Sequence, residues 1–178
     1  MPTPLDQSRY QVRFDWGSTG LARLAPGDVT VVVDVLVDTD TDADRIGAEA
    51  SGAGSTVLRG GLRCAGALAE AVIAEQHRRQ ARTSVVVIAC GAADAGGGTR
   101  FAVEDLLGAG AVIDALAARG IDHTSPEAAA ACEAFRGLRP ALRHLLTASG
   151  TGQTWAEAGR REDVLAAASV DADSSAQC

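Results

Sequence analysis

Apolar and polar positions alternate along the first part of the chain and then settle into longer rhythms. Residues 10–16, Tyr-Gln-Val-Arg-Phe-Asp-Trp, alternate strictly and predict a half-buried strand ended by Gly17 and Gly20. Residues 28–37, Asp-Val-Thr-Val-Val-Val-Asp-Val-Leu-Val, are almost continuously β-branched. Such a run predicts a strand buried on both faces, as in a parallel or mixed central sheet. Residues 39–54 are small and polar and read as a loop, and residues 55–58 as a short strand. Over residues 62–81 the spacing turns helical, with Leu62, Leu68, Val72 and Ile73 on the core side. The run Ser84-Val-Val-Val-Ile-Ala89 is a further strand, and it feeds a flexible glycine-rich loop over residues 91–98.

Beyond that loop the pattern is helical to the end. Residues 101–119 predict a helix that stops at Gly120. Ser125-Pro126-Glu127 places a capping serine and a first-turn proline at the start of a helix reaching about Phe135. Gly137 and Pro140 break it, residues 141–147 form another, and Thr154 with Glu157 fits a capping box. Residues 162–169 make a last short helix, and residues 171–178 a frayed tail. Strands gather early and helices late with β-α alternation between, which predicts one α/β domain over residues 1–178 with helices covering a sheet.

Composition narrows the classes. Hydrophobic residues make up 47% of the chain, much of it alanine, and aromatics 3%, so the core packs small aliphatic side chains. The net charge is −7 and all basic residues are arginine, a poor basis for nucleic-acid binding. The basic cluster His77-Arg-Arg-Gln-Ala-Arg82 reads as a solvated helix end. Every apolar run is interrupted by charge or glycine, and residues 1–7 have no leader character, so a cytoplasmic protein without membrane contact is expected. Cys64, Cys90, Cys132 and Cys178 are scattered, which argues against structural zinc and predicts free thiols.

The candidate chemistry is carboxylate chemistry. Gly91-x-x-x-x-Gly96 has phosphate-loop spacing, but Gly97 stands where that loop needs lysine, and no dinucleotide fingerprint follows a strand. Cys90 and Arg100 bracket too long a loop for a cysteine phosphatase, so Cys90 reads as a small buried residue. Glu104 and Asp105 fall in a first helical turn, where the dipole alone favours them, or where they can ligate Mg²⁺ beside a strand end. Arg100 can clamp a phosphate or sulfonate, or pair with Glu104. Asp34 sits inside an apolar strand and there needs a partner, a metal or solvent. Asp38, Asp40, Asp42 and Glu49 match calcium-loop positions without the central glycine, and otherwise form a solvated acidic loop.

These residues resemble a known family. Gln11-Val-Arg-Phe-Asp-Trp-Gly17, Val31-Val-Val-Asp-Val-Leu36, Gly61-Leu-Arg-Cys-Ala-Gly-Ala-Leu-Ala69 and above all Arg100-Phe-Ala-Val-Glu-Asp-Leu-Leu-Gly-Ala-Gly-Ala111 are similar to the 2-phosphosulpholactate phosphatases. Ser125-Pro-Glu-Ala-Ala-Ala130 and Gly159-Arg-Arg-Glu-Asp-Val164 fit the family's later helices. The resemblance implies a three-layer α/β/α domain, here with a mixed central sheet and some strands missing. It implies Mg²⁺-dependent hydrolysis of a phosphomonoester, 2-phosphosulpholactate to sulpholactate and phosphate, on a route to coenzyme M. Family positions between Thr41 and Ser55 are shortened here, and Cys64 stands where the family carries asparagine.

On this reading Asp34, Glu104 and Asp105 are metal ligands or general acid/base groups. Arg63 and Arg100 clamp the anionic substrate, and Thr39 and Thr41 contact its phosphate. The expected partner is a small phosphorylated acid, with no nucleic acid and no membrane, and a homodimer is allowed for. Two alternatives stand beside it: a degenerate, noncatalytic homologue that binds a ligand or partner, and a divalent-cation-binding protein built on the Asp38–Glu49 loop.

Overall fold

The computed structural model describes residues 3–37, 42–94 and 96–176. Among these, four strands form one sheet: β1 (Val12–Trp16), β2 (Val29–Val33), β3 (Thr56–Gly60) and β4 (Val85–Ala89), in the order β1-β4-β2-β3. Every pairing is parallel, where the sequence allows for a mixed sheet. The reason is connectivity, since each strand is followed by a helical crossover that returns the chain to the same end of the sheet.

Alternation along β2 and β4 sends side chains to two separate cores. Val32, Val86, Ile88 and Cys90 pack with Leu24 and Ile46 under α1 (Gly17–Arg23) and α2 (Asp42–Gly52). Val29, Val31, Val33, Val85 and Val87 face α3 (Ala65–Arg79), α4 (Val103–Ala117) and the later helices α5 (Pro126–Leu138), α6 (Leu142–Ala148), α7 (Gly150–Glu157) and α8 (Arg161–Ala167). Helices on both faces make the three layers, α/β/α.

Several local expectations change. Residues 42–52 are helix α2 rather than loop, because Ile46, Gly47 and Ala50 supply a buried stripe against the sheet. That helix holds Asp42 and Glu49, each within reach of Arg45, so the two cannot curl as a calcium loop does. Asp38, Thr39, Asp40 and Thr41 lie outside the described residues. The glycine-rich loop is a small hairpin, β5 (Ala92–Ala93) against β6 (Thr99–Arg100). Gly17 starts α1 instead of merely ending β1. The capping box at Thr154 is not formed; Ser149 caps α7 by accepting from the Gly152 N–H, and Thr154 lies inside that helix. Ser125 caps α5 as expected, accepting from the Ala128 N–H.

The tail also differs. Asp171 and Asp173 donate backbone N–H groups to the carbonyls of Leu62 and Arg63, so the segment is docked rather than frayed. Cys64, beside that docking point, is disulfide-bonded, against the expectation of free thiols; Cys90 and Cys132 are free and buried. No helix among the described residues is long and apolar enough to cross a membrane.

Small residues on α4 set its seat. A Cβ at Gly108 would press on Val33 and Val35, and one at Gly110 would strike the Ala131 carbonyl of α5. The two glycines therefore let α4 lie close to the end of β2 on one side and to α5 on the other. This seat brings the first turn of α4 to the carboxyl ends of β2 and β4.

At the opposite end of the sheet, Glu75 binds both Arg78 and Arg79 and accepts from the Thr56 hydroxyl. The Arg78 and Arg79 guanidinium groups, in that order, hold its carboxyl down at about 2, against an ordinary 4.5. A depressed folded-state value gives stability that is complete above the ordinary value and lost as pH falls toward the folded one. The urea midpoint of the parent should thus decline below about pH 5, and that of Glu75→Gln should decline less over the same interval. Parallel curves for the two proteins would show that this cluster contributes nothing.

Candidate functional site

The sheet's connections create a crevice at one place. After β2 the chain turns to α2 on one face, and after the neighbouring β4 it reaches α4 on the other. Adjacent strands whose outgoing loops part to opposite faces leave a cleft at their carboxyl ends, where open α/β sheets bind ligands. Asp34 immediately follows β2, and Cys90 and Gly91 follow β4.

Two adjoining cavities occupy the cleft. The smaller, about 230 Å³, is lined by Asp34, Asp42, Cys90, Gly91, Glu104 and Asp105 among others. The larger, about 480 Å³, takes in Arg100, Phe101, Glu104, Ser149 and Thr154. Glu104, Ala92, Ala102 and Thr151 border both, so the two form one bilobed space.

Asp105 joins the two strand ends. Its Oδ1 accepts the Val35 N–H and its Oδ2 the Gly91 N–H, each at 2.8 Å. One carboxylate thereby fixes the loops after β2 and β4. Gly91 has φ +70°, and a Cβ there would crowd the Arg100 carbonyl and the Thr99 side chain. Only glycine suits that left-handed, close-packed corner. Burial pushes the Asp105 carboxyl well above the usual carboxylate range, and the neighbouring Asp34 charge adds to it; the two backbone N–H groups oppose both.

Glu104 is the sharper observation. It is only 3% exposed, yet no hydrogen bond or ion pair among the described residues holds its carboxylate. The first turn of α4 has no capping side chain, since Ala102 stands at the N-cap. The Glu104 oxygens are not sealed in the core but open onto the cleft, with the positive end of the helix behind them.

The structure therefore brings together Asp34, Glu104 and Asp105 from distant stretches, with Arg100 at the outer lobe. Arg63 is not among the residues lining either lobe. It forks onto Asp173 at 2.7 and 2.9 Å and donates to the Ala166 carbonyl, tying down the tail. Thr39 and Thr41 fall outside the described residues. Arg100 forms no ion pair with Glu104 because it lies on β6, before the helix.

Sequence reasoning missed Thr151, Ser149 and the backbone of Gly91. The signal for the first two was Ser149-Gly150-Thr151-Gly152, a capping serine ahead of small residues, which was passed over in favour of Thr154. Cys90 is buried as expected. Burial, with the charges of Asp105 and Asp34, raises its thiol far out of the nucleophilic range.

A divalent cation suits this donor set. Among the described residues, four carboxylates and no basic side chain line the smaller lobe. Among the described residues no three His, Cys, Asp or Glu converge closely enough to hold a metal by themselves. Mg²⁺ asks for less than that, one or two carboxylates completed by water and substrate phosphate. Asp34 and Glu104, which line the same lobe, are the carboxylates that could supply them.

A family model described as 2-phosphosulpholactate phosphatase matches residues 47–176. The match includes Arg63, Arg100, Glu104 and Asp105 and begins after Asp34. No curated protein matches the chain.

Proposed function

The chain belongs to the 2-phosphosulpholactate phosphatase family, and from that membership and the bilobed cleft we propose that it hydrolyses a small phosphorylated acid, 2-phosphosulpholactate or a close analogue, with Mg²⁺. The observation that carries this reading is Glu104, which faces both lobes of the cleft and makes no hydrogen bond or ion pair among the described residues. A phosphate dianion cannot approach Asp34, Asp42, Glu104 and Asp105 unless a cation stands between them. Asp34 and Glu104 would hold the ion. When bound, it neutralises phosphate oxygens and offsets the carboxylate charge that opposes the ester.

The chain's own groups do the rest. The phosphate end of the substrate occupies the smaller lobe and its acid group the larger. Arg100 lines the larger lobe and is solvent-exposed, so its guanidinium can fork onto a carboxylate or sulfonate. Asp34, more open than the buried Glu104, takes the proton from the attacking water. The water oxygen bonds to phosphorus, the ester P–O bond breaks, and the leaving alkoxide takes a proton from solvent. Asp105 acts by position, keeping the Val35 and Gly91 backbones apart at a fixed width. Cys90 takes no covalent part, because its thiol stays protonated.

Phosphate release from a panel of phosphorylated hydroxy acids tests the reading. Release is expected with Mg²⁺, abolished by chelation and restored by adding the ion back. A folded protein that releases no phosphate from any of the panel would make it a noncatalytic member of the family.

A further inference from the structure

At the amino ends of the strands, opposite the cleft, lies a cavity of about 250 Å³ lined by Arg9, Arg13, Arg82, Asp28, Gln11 and Ser84 among others. Arg13 is 6% exposed and makes no salt bridge. Its guanidinium is held by neutral carbonyls alone. Nε donates to Tyr10, Nη1 to Ala25 and Pro26, and Nη2 to Ser8, which leaves one Nη2 donor unassigned.

The carboxylates nearby are already committed. Asp28 accepts from Arg79 and from both the N–H and the hydroxyl of Ser84. Asp6 accepts the backbone N–H groups of Thr3 and Ser8. Arg82 donates to the Gln11 amide oxygen, and neither it nor Arg9 forms an ion pair among the described residues. Three guanidinium groups thus border one small cavity against a single lining carboxylate, Asp28, which is itself ion-paired to Arg79, in a chain whose net charge is −7.

Asp6 and Asp28 act on Arg13 only across a distance, without contact, and planar guanidinium forks fit tetrahedral oxyanions. We propose that this cavity is a second anion site, separate from the catalytic cleft, which takes a phosphate-sized dianion between Arg9, Arg13 and Arg82. The cluster ending in Arg82, which from sequence alone reads as a solvated helix end, then supplies part of a binding site. The site does not depend on the phosphatase reading, since it lies at the other end of the sheet.

Site-resolved NMR on this 18.1 kDa protein tests it. ¹⁵N-labelled protein is titrated with inorganic phosphate, without divalent cation, and in parallel with sodium chloride at matched ionic strength. The expected result is saturable shifts at the amides of Ser8, Tyr10 and Ser84 and at Arg13 Nε–H with phosphate and not with chloride. In the Arg9→Gln/Arg82→Gln double variant, which spares the buried Arg13, binding should weaken by about tenfold or more, as loss of a charge-assisted hydrogen bond implies. Equal responses to phosphate and chloride, or unchanged affinity in the double variant, would overturn the proposal. Shifts confined to Gly91 and Thr151 would do the same, since they would report the cleft.

Discussion

Glu104→Gln should lower Mg²⁺-dependent phosphate release by about 10²–10⁴-fold with little change in the urea midpoint, and Asp34→Asn should lower the rate by a similar factor. Glutamine keeps the volume of Glu104 and its place in the first turn of α4, so packing is preserved. It removes the charge and points an amide N–H₂ where a cation would sit. Because Glu104 makes no hydrogen bond or ion pair among the described residues, the change breaks no structural bond. Asp34→Asn tests the other strand end and the proton acceptor. Parental rates in both variants would remove this cleft from the chemistry.

Asp105→Asn should behave in the opposite way, destabilising the fold by about 3 kcal/mol. Each oxygen of Asp105 accepts one backbone N–H, from Val35 and from Gly91. Asparagine offers one oxygen and one N–H₂, so a donor must face a donor at one of the two strand ends. The stranded N–H is partly buried, and leaving such a group without an acceptor costs about 1–3 kcal/mol before any repulsion is counted. Urea unfolding measures the loss. Activity should fall as well, because the cleft's two sides are no longer tied, but the stability change marks Asp105 as a positioning residue. A stable Asp105→Asn protein with unchanged rates would show that the bridge is dispensable. The pair Glu104 and Asp105 thus separates two roles that adjacent carboxylates cannot reveal by their spacing.

Which parts of this were readable in the chain follows from the range of the forces involved. The strands at 10–16, 28–37 and 84–89 were visible because their β-branched or alternating residues answer to a two-residue period. The Ser125 cap was visible because its hydrogen bond spans three residues. Helix α2 was not, since its buried stripe of Ile46, Gly47 and Ala50 is too small and polar-flanked to stand out before the sheet is present. The choice of Ser149 over Thr154 as cap likewise rested on packing: the chain passes the Leu146 carbonyl so closely at Gly152 that a Cβ there would strike it.

By itself the sequence determined the α/β class, the family resemblance and the pairing of a strand-end Asp34 with the acidic first turn of α4. Those are local matters of period, capping and motif. Only the tertiary structure decided that Asp105 bridges Val35 and Gly91, that Arg63 forks onto Asp173, and that Glu104 stands at the cleft with no hydrogen bond or ion pair among the described residues. Each of these depends on which strands lie side by side. The order β1-β4-β2-β3 inserts the last strand between two earlier ones, and no local pattern carries that information.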